Sequence, residues 1–211
     1  MIIPDIRFED EIEEFEKLDC AKPPATGGIM FYGDSDIRYW LNENQFEKVF
    51  LGFPAVNRGF GGARIWETIL YFKRVVIPHN PSVIVYSCGD NDVCELNSLG
   101  EDGPYNVEIG FRIFLDLVSQ YLPELKQLIY LAIHQAPGRN DKGFWPVQNE
   151  ANKRVEKICD EFSWVLYADY NYILYGSDGQ LKDKYFSDDR VHLSPLFYEK
   201  LGNHVKILLD T

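Results

Sequence analysis

The stretch Ile29-Met30-Phe31-Tyr32-Gly33-Asp34-Ser35-Asp36-Ile37 decides how this chain is organised. A short apolar run stops at Gly33 and an amphipathic segment begins at once, which predicts a buried strand, a tight turn and the start of a helix. Ser35 then lies beside the backbone N–H groups of a helix N-terminus, where a developing negative charge is stabilised. A turn of this kind, with Asp or Ser as the helix cap, is also common in proteins without catalytic activity, so the stretch alone leaves both interpretations open.

The same change from apolar run to amphipathic segment recurs along the chain. Strands are predicted at residues 29–33, 55–57, 82–87, 128–133 and 165–168, and helices at 10–18, 35–41, 65–76, 107–121, 147–162 and 195–208. This alternation predicts an α/β fold whose mostly parallel, five-stranded sheet has helices on both faces. Ligands bind at the carboxyl ends of such strands, so we expect residues 33–35, 57–62, 89–92 and the loop before Pro195 to meet at one edge.

Length and charge restrict the class of protein. A chain of 211 residues can bury one sizeable core, and we predict a single domain at 28–211 with residues 1–27 as a lead-in packed on it. The net charge of −12 argues against a nucleic-acid partner and against docking on anionic membranes. The acidic N-terminus lacks the apolar segment of a signal peptide, so we expect a cytoplasmic protein unless a leader precedes residue 1. The oligomeric state is left open.

The cysteines indicate neither a disulfide framework nor a metal site. Cys20, Cys88, Cys94 and Cys159 form no C-x-x-C pair and have no histidines at zinc-finger spacing. We therefore expect free, buried thiols and no metal or cofactor.

A serine nucleophile needs a base within hydrogen-bond reach, a group that orients the base, and donors for the oxyanion. His192 precedes the last helix with Asp189 three positions upstream, a spacing that lets one loop present the imidazole and hold its other nitrogen. His134 ends a strand on the same edge and is the competing candidate. Asp-x-x-His could also do no more than cap the last helix.

Taken together, these motifs resemble those of the SGNH (GDSL-type) hydrolases. Residues 33–35 resemble the family's first block, 57–62 the second, 89–92 the third and 189–192 the fifth, in the family's order and with similar spacing. The resemblance covers most of the chain. It implies a flavodoxin-like, three-layer αβα sandwich and cofactor-free hydrolysis of esters.

The resemblance also assigns roles to individual residues. It makes Ser35 the nucleophile, His192 the base and Asp189 the orienting carboxylate. The oxyanion would be met by the backbone N–H groups of Ser35 and Gly62 and by the side-chain amide of Asn91. Gly61, one position earlier than Gly62, is the alternative donor.

Asp36 departs from the family pattern, which commonly has a small or apolar residue after the serine. A carboxylate there suits the first turn of a helix, although it would oppose an oxyanion if it faced the site. We expect it to point along the helix, away from the site.

Three aromatic residues, Trp66, Phe144 and Trp145, are candidates for the substrate pocket. Such rings fit sugars or small acyl groups. The favoured function is hydrolysis of small acyl esters, acetyl above all, on a small molecule or a carbohydrate. Alternatives are a lysophospholipase, an acyl-thioesterase, an enzyme that transfers the acyl group to a sugar, and a ligand-binding protein that keeps the fold without catalysis.

Overall fold

The computed structural model describes residues 6–209. Five parallel strands form one sheet in the order β2-β1-β3-β4-β5. The strands are β1 (Ile29–Gly33), β2 (Ala55–Gly59), β3 (Val83–Ser87), β4 (Gln127–Leu131) and β5 (Val165–Ala168). The predicted α/β class with a five-stranded parallel sheet is confirmed.

Helices cover both faces of the sheet. They are α1 (Glu9–Ala21), α2 (Ser35–Arg38), α3 (Gln45–Val49), α4 (Ile65–Val75), α5 (Asp90–Ser98), α6 (Gly103–Tyr121), α7 (Pro137–Asn140), α8 (Trp145–Cys159) and α9 (Pro195–Leu209). Short 3-10 turns occupy Ile6–Phe8, Tyr39–Asn44, Ile77–His79, Asn171–Leu174 and Asp183–Tyr185.

Two hydrophobic cores follow from the alternation of side chains along each strand. Met30 and Tyr32 of β1 point to one face, where α1, α4, α6 and α8 pack, while Phe31 points to the other, where α3 and α9 pack. The strands are therefore apolar on both sides, as expected for a parallel sheet between two helical layers. This is the three-layer sandwich that the sequence predicted.

The N-terminal segment has its own helix, longer than predicted. Ile12 and Phe15 of α1 are buried in the core on the α4 side, and Arg74 of α4 forms ion pairs with Glu9 and Glu16. Residues 1–5 and 210–211, at the outer ends of the two predicted segments, lie outside the described residues.

Two local predictions were wrong. No helix was predicted between residues 87 and 107, but α5 lies there, because Val93, Cys94 and Leu96 form a buried face. Cys20 was expected to be buried, but it is an exposed free thiol, whereas Cys88, Cys94 and Cys159 are buried free thiols.

Gly33 is the point at which β1 leaves the sheet. Its φ is +146°, and a Cβ built there would lie 1.9 Å from the backbone oxygen of Ser87 on β3. Asp34 N–H donates to that same oxygen at 3.0 Å. Only glycine permits this approach, so the turn into Ser35 depends on it.

We predict that Gly33→Ala lowers the free energy of unfolding by at least about 3 kcal/mol, since it adds a backbone clash to an unfavourable φ. Gly27→Ala is the matched control, because Gly27 has φ +78° but open space around its Cβ position. That variant should cost only about 1 kcal/mol in denaturant unfolding. Equal losses of unfolding free energy in the two variants would show that the close contact with the Ser87 oxygen adds nothing to the cost of the substitution.

Candidate active site

Ser35 is the first residue of α2, directly after the turn at the carboxyl end of β1. Asp34 caps the helix, and its Oδ1 accepts the N–H of Asp36 at 3.0 Å. The capping carboxylate is buried, whereas Ser35 is half-buried and reaches the surface of the edge. The turn thus presents the serine hydroxyl where the strand ends meet.

A histidine and a carboxylate line up behind this hydroxyl. Nε2 of His192 lies 3.1 Å from Oγ of Ser35, and Nδ1 of His192 lies 2.5 Å from Oδ2 of Asp189. The other oxygen of Asp189 accepts the backbone N–H groups of Val191 and His192, each at 2.9 Å. The three side chains thus form a continuous chain of hydrogen bonds, called the relay below, from the Asp189 carboxylate through His192 to the Ser35 hydroxyl.

The electrostatics of Asp189 suit an ionised partner for the imidazole. Partial desolvation opposes the charge, but the hydrogen bonds from the His192 ring and from two backbone N–H groups outweigh it and lower the pKa of Asp189. The imidazole N–H on Nδ1 is thereby directed to the carboxylate, which leaves Nε2 as the acceptor facing Ser35.

Tyr39 packs on the imidazole and was not predicted. Its ring stacks on His192 with centroids 4.1 Å apart and an interplanar angle of 13°. Tyr39 follows Ser35 by four residues, which is the spacing that places side chains on one helical face, so the signal was present in the sequence.

The loop that follows β2 carries Gly62, and it faces Asn91. Gly62 has φ +77°, and its backbone oxygen accepts a hydrogen bond from Arg7 at 3.1 Å. Nδ2 of Asn91 donates to the backbone oxygen of Ala63 at 2.9 Å. Gly62 and Asn91 line the same open cavity of about 430 Å³, so the structure brings these two sequence-predicted residues together.

Asn57 connects this loop to α2. Its Nδ2 donates to the backbone oxygen of Ile37 at 2.7 Å, and its Oδ1 accepts the N–H of Gly59 at 3.0 Å. The side chain is buried, so it holds the turn that carries Ser35 against the loop that follows β2.

Asp36 and His134 pair with each other. Nδ1 of His134 is 3.1 Å from Oδ2 of Asp36, and Nε2 is 2.9 Å from the backbone oxygen of Val191. Both His134 ring nitrogens are therefore occupied, and the histidine bonded to Ser35 is His192. The expectation that Asp36 points away along the helix missed this buried pair.

The remaining histidines lie elsewhere. His79 is buried, and its Nε2 is 2.8 Å from Asp19 of α1, while His204 on α9 contacts the Tyr172 ring.

The three aromatic pocket candidates lie in different places. Phe144 lines the cavity that holds Gly62 and Asn91. Trp145 lines a separate cavity with Asn152 and Tyr167, and Nε1 of Trp66 donates to Asn106 of α6 at 2.8 Å. The cavity beside Asn91 is otherwise mostly polar and charged, with Arg7, Cys94, Glu95, Ser98, Arg139 and Lys142.

None of the helices within residues 6–209 is long and apolar enough to cross a membrane. Within the same residues, no group of three or more His, Cys, Asp or Glu side chains could hold a metal ion.

Residues 35–205 match the GDSL-like Lipase/Acylhydrolase family. No curated protein matches the sequence significantly.

Solved structures share the fold at low identity. A GDSL-like lipase from Bacteroides thetaiotaomicron is 18% identical with a TM-score of 0.74, and the match covers 94% of this chain and 97% of that one. An acetylxylan esterase from Geobacillus stearothermophilus is 18% identical with a TM-score of 0.66, covering 86% and 93%. At this identity the likeness shows the fold alone.

Asn57→Ala tests the connection beneath the site. The change leaves a buried carbonyl and a buried N–H without partners, and we expect the free energy of unfolding to fall by about 3 kcal/mol. Asn97→Ala, at an exposed position on α5, is the control and should change it by less than about 0.5 kcal/mol. Denaturant unfolding measures both, and equal values would show that Asn57 does not hold the turn.

Proposed function

This chain belongs to the GDSL-like lipase/acylhydrolase family and is an ester hydrolase, and we propose that it is a serine esterase acting on small acyl esters, acetyl esters above all. The single observation that carries the proposal is the relay in which His192 lies 3.1 Å from Ser35 and 2.5 Å from Asp189. The nucleophile, its base and the group that orients the base are within hydrogen-bond reach of one another.

In the proposed first step, Nε2 of His192 takes the proton of Ser35 as Oγ attacks the ester carbonyl. The carbonyl oxygen becomes an oxyanion, and a new C–O bond joins the acyl group to the serine. When this intermediate collapses, the bond to the leaving alcohol breaks and His192 gives that alcohol its proton. Water then hydrolyses the acyl-enzyme by the same sequence, with His192 again as base and then acid.

The proposed oxyanion donors are the backbone N–H groups of Ser35 and Gly62 and the amide of Asn91. One N–H of Asn91 is engaged by Ala63, which fixes the orientation of the amide and leaves its second N–H for the substrate. The positive φ of Gly62 fits a role in which the backbone itself turns toward the substrate. Removal of one such donor costs about 10²–10³ in rate.

The nature of the cavity supports a short acyl group. Around Gly62 and Asn91 the lining is mostly charged or polar, and Phe144 is its one large apolar side chain among the described residues. A long acyl chain needs an extended apolar surface, because each CH₂ that it buries contributes about 0.8 kcal/mol. The cavity offers little such surface, so an octanoyl chain would gain no binding energy there over an acetyl group.

Sugar esters are the favoured natural substrates. Charged and polar groups such as Arg7, Glu95 and Lys142 can hydrogen-bond hydroxyl groups of an alcohol, and Phe144 can pack on a sugar ring. The acetylxylan esterase with the same fold acts, by its name, on such an ester.

Turnover of p-nitrophenyl acetate tests the nucleophile and the base. Ser35→Ala and His192→Ala should each lower kcat by about 10⁴-fold or more, because they act as one unit. Asp189→Asn should also lower kcat strongly, since it removes the carboxylate that directs the imidazole. His204→Ala, outside the relay, is the control and should keep wild-type kcat. A Ser35→Ala variant as fast as wild type would exclude Ser35 as the nucleophile.

Acyl-chain length tests the substrate class. With p-nitrophenyl acetate, butyrate and octanoate, we expect kcat/KM not to rise with chain length, because the longer chains stay exposed to water and gain no burial energy. Acetylated xylan fragments and an acyl thioester complete the panel. Higher kcat/KM for octanoate or for the thioester would favour the lysophospholipase or thioesterase alternatives. A product ester formed when an acceptor sugar is added would favour acyl transfer.

A further inference from the structure

His134 joins the residue that follows the proposed nucleophile to the residue that precedes the proposed base. Its ring contacts Oδ2 of Asp36 at 3.1 Å and the backbone oxygen of Val191 at 2.9 Å. Asp36 is adjacent to Ser35 in the chain, and Val191 is adjacent to His192. A second connection between α2 and the loop at 187–194 therefore runs beside the direct Ser35–His192 hydrogen bond.

Hydrogen-bond chemistry fixes the protonation of this ring. A backbone carbonyl and an ionised carboxylate only accept hydrogen bonds, so both nitrogens of His134 must donate, which requires the imidazolium form. Burial disfavours that charge, but the Asp36 carboxylate and the Val191 carbonyl outweigh it and raise the pKa of His134 to about 9. Burial also disfavours the carboxylate, yet His134 lowers the pKa of Asp36.

Other charged and polar groups face the pair from the surrounding elements. Asp90 of α5 and Arg139 of α7 form an ion pair with each other, and burial raises the pKa of Asp34 well above its usual value. The remaining neighbours are the hydroxyls of Tyr170 and Tyr198, the latter bonded to the backbone oxygen of Asp36, and the ring of His192. His134 is the cation in direct contact with Asp36.

Next to Val191, the loop is also held by an ion pair between Arg190 and Asp141 and by the stacking of Tyr39 on His192. Gly138 N–H donates to the backbone oxygen of Arg190 at 2.8 Å, and Arg190 itself has a positive φ of 60°. A non-glycine residue in this conformation is held by its surroundings. His134 and Gly138 lie on the segment after β4 and fix the backbone of two successive loop residues, immediately before His192.

We propose that His134 is a positioning residue that clamps Asp36 and Val191, so that His192 stays within hydrogen-bond reach of Ser35. The proposal rests on the roles given to Ser35 and His192 in the proposed function. The clamp touches neither the nucleophile nor the cavity beside Asn91, so it acts on the geometry of proton transfer and not on substrate binding.

Two substitutions distinguish the effect of the two His134 hydrogen bonds from the effect of the charges on His134 and Asp36. His134→Phe keeps a ring beside Tyr170 and Phe186 but removes both N–H donors. Asp36→Asn removes the charge and keeps the clamp, because the new amide can donate to Nδ1 of a neutral ring whose Nε2–H still donates to Val191. His204→Phe on α9 is the matched control for a histidine outside the clamp.

We expect His134→Phe to lower kcat for p-nitrophenyl acetate by about 10- to 100-fold with little change in KM, as for a misplaced catalytic group. Asp36→Asn should stay within about threefold of wild-type kcat, and His204→Phe should match wild type. Because His134→Phe leaves a buried carboxylate unpaired, the double variant with Asp36→Asn guards against misfolding and should show the same loss in kcat. Circular dichroism and thermal melting establish that each variant is folded.

The pH dependence of kcat is a further test, because a role of His134 in packing alone would not change it. Wild-type kcat should fall as the pH rises through about 9, where His134 loses a proton and one of its two hydrogen bonds. Asp36→Asn should lack this alkaline fall, because its clamp already works with a neutral ring. Unchanged kcat in His134→Phe, or an equal loss in Asp36→Asn and His134→Phe, would overturn the clamp.

Ring nitrogen NMR separates this inference from the proposed function, since it needs no turnover. We expect both ring nitrogens of His134 to be protonated at neutral pH in wild type, and only one of them in Asp36→Asn. An inactive wild type with that spectrum would overturn the esterase proposal, whereas a singly protonated His134 in wild type would overturn the clamp.

Discussion

The structure depends on the close approach of β1 to β3 at Gly33. The missing side chain lets the Ser87 oxygen come near enough to accept the N–H of Asp34, while the Gly33 oxygen accepts the N–H of Phe60 beyond β2. Three neighbouring strands are thus fixed to one another where β1 ends. Ser35, the loop of Gly62 and the segment of Asn91 all begin within a few residues of this point, so their mutual geometry is set by backbone hydrogen bonds before any side chain contributes.

Sequence reasoning predicted what is local in the chain. The strand-to-helix alternation indicated the sheet, because each strand is buried on both sides and each helix has one apolar face. Asp189 and His192 could be paired because they are only three positions apart in the sequence. The partnership of Asp36 with His134 could not be predicted in this way, since the two are 98 positions apart and neither shows a pattern of its own. Helix α5 was not predicted because its start is acidic and polar, although Asp residues also favour the first turn of a helix.

Near the proposed oxyanion site, several carboxylates each have their own local partner that offsets or stabilises the negative charge. Asp36 is paired with His134 and Asp90 with Arg139, while Asp189 accepts hydrogen bonds from the His192 ring and from two backbone N–H groups. Asp92 accepts the N–H of Ile65, and burial raises its pKa to about 8. In a chain with a net charge of −12, a site that must stabilise an anion needs such local compensation. The proposed oxyanion site therefore does not require a basic surface.

This compensation also explains how an aspartate can follow the serine. At that position an unpaired, buried carboxylate would carry a desolvation cost and would oppose negative charge on the substrate. Its pairing with His134 offsets both effects and connects α2 to the loop of the proposed base. The same carboxylate that looked unfavourable in the sequence thus becomes an anchor in the fold. Whether a charged residue beside a nucleophile hinders or supports the chemistry is decided by the partner that the tertiary structure supplies, not by the residue type.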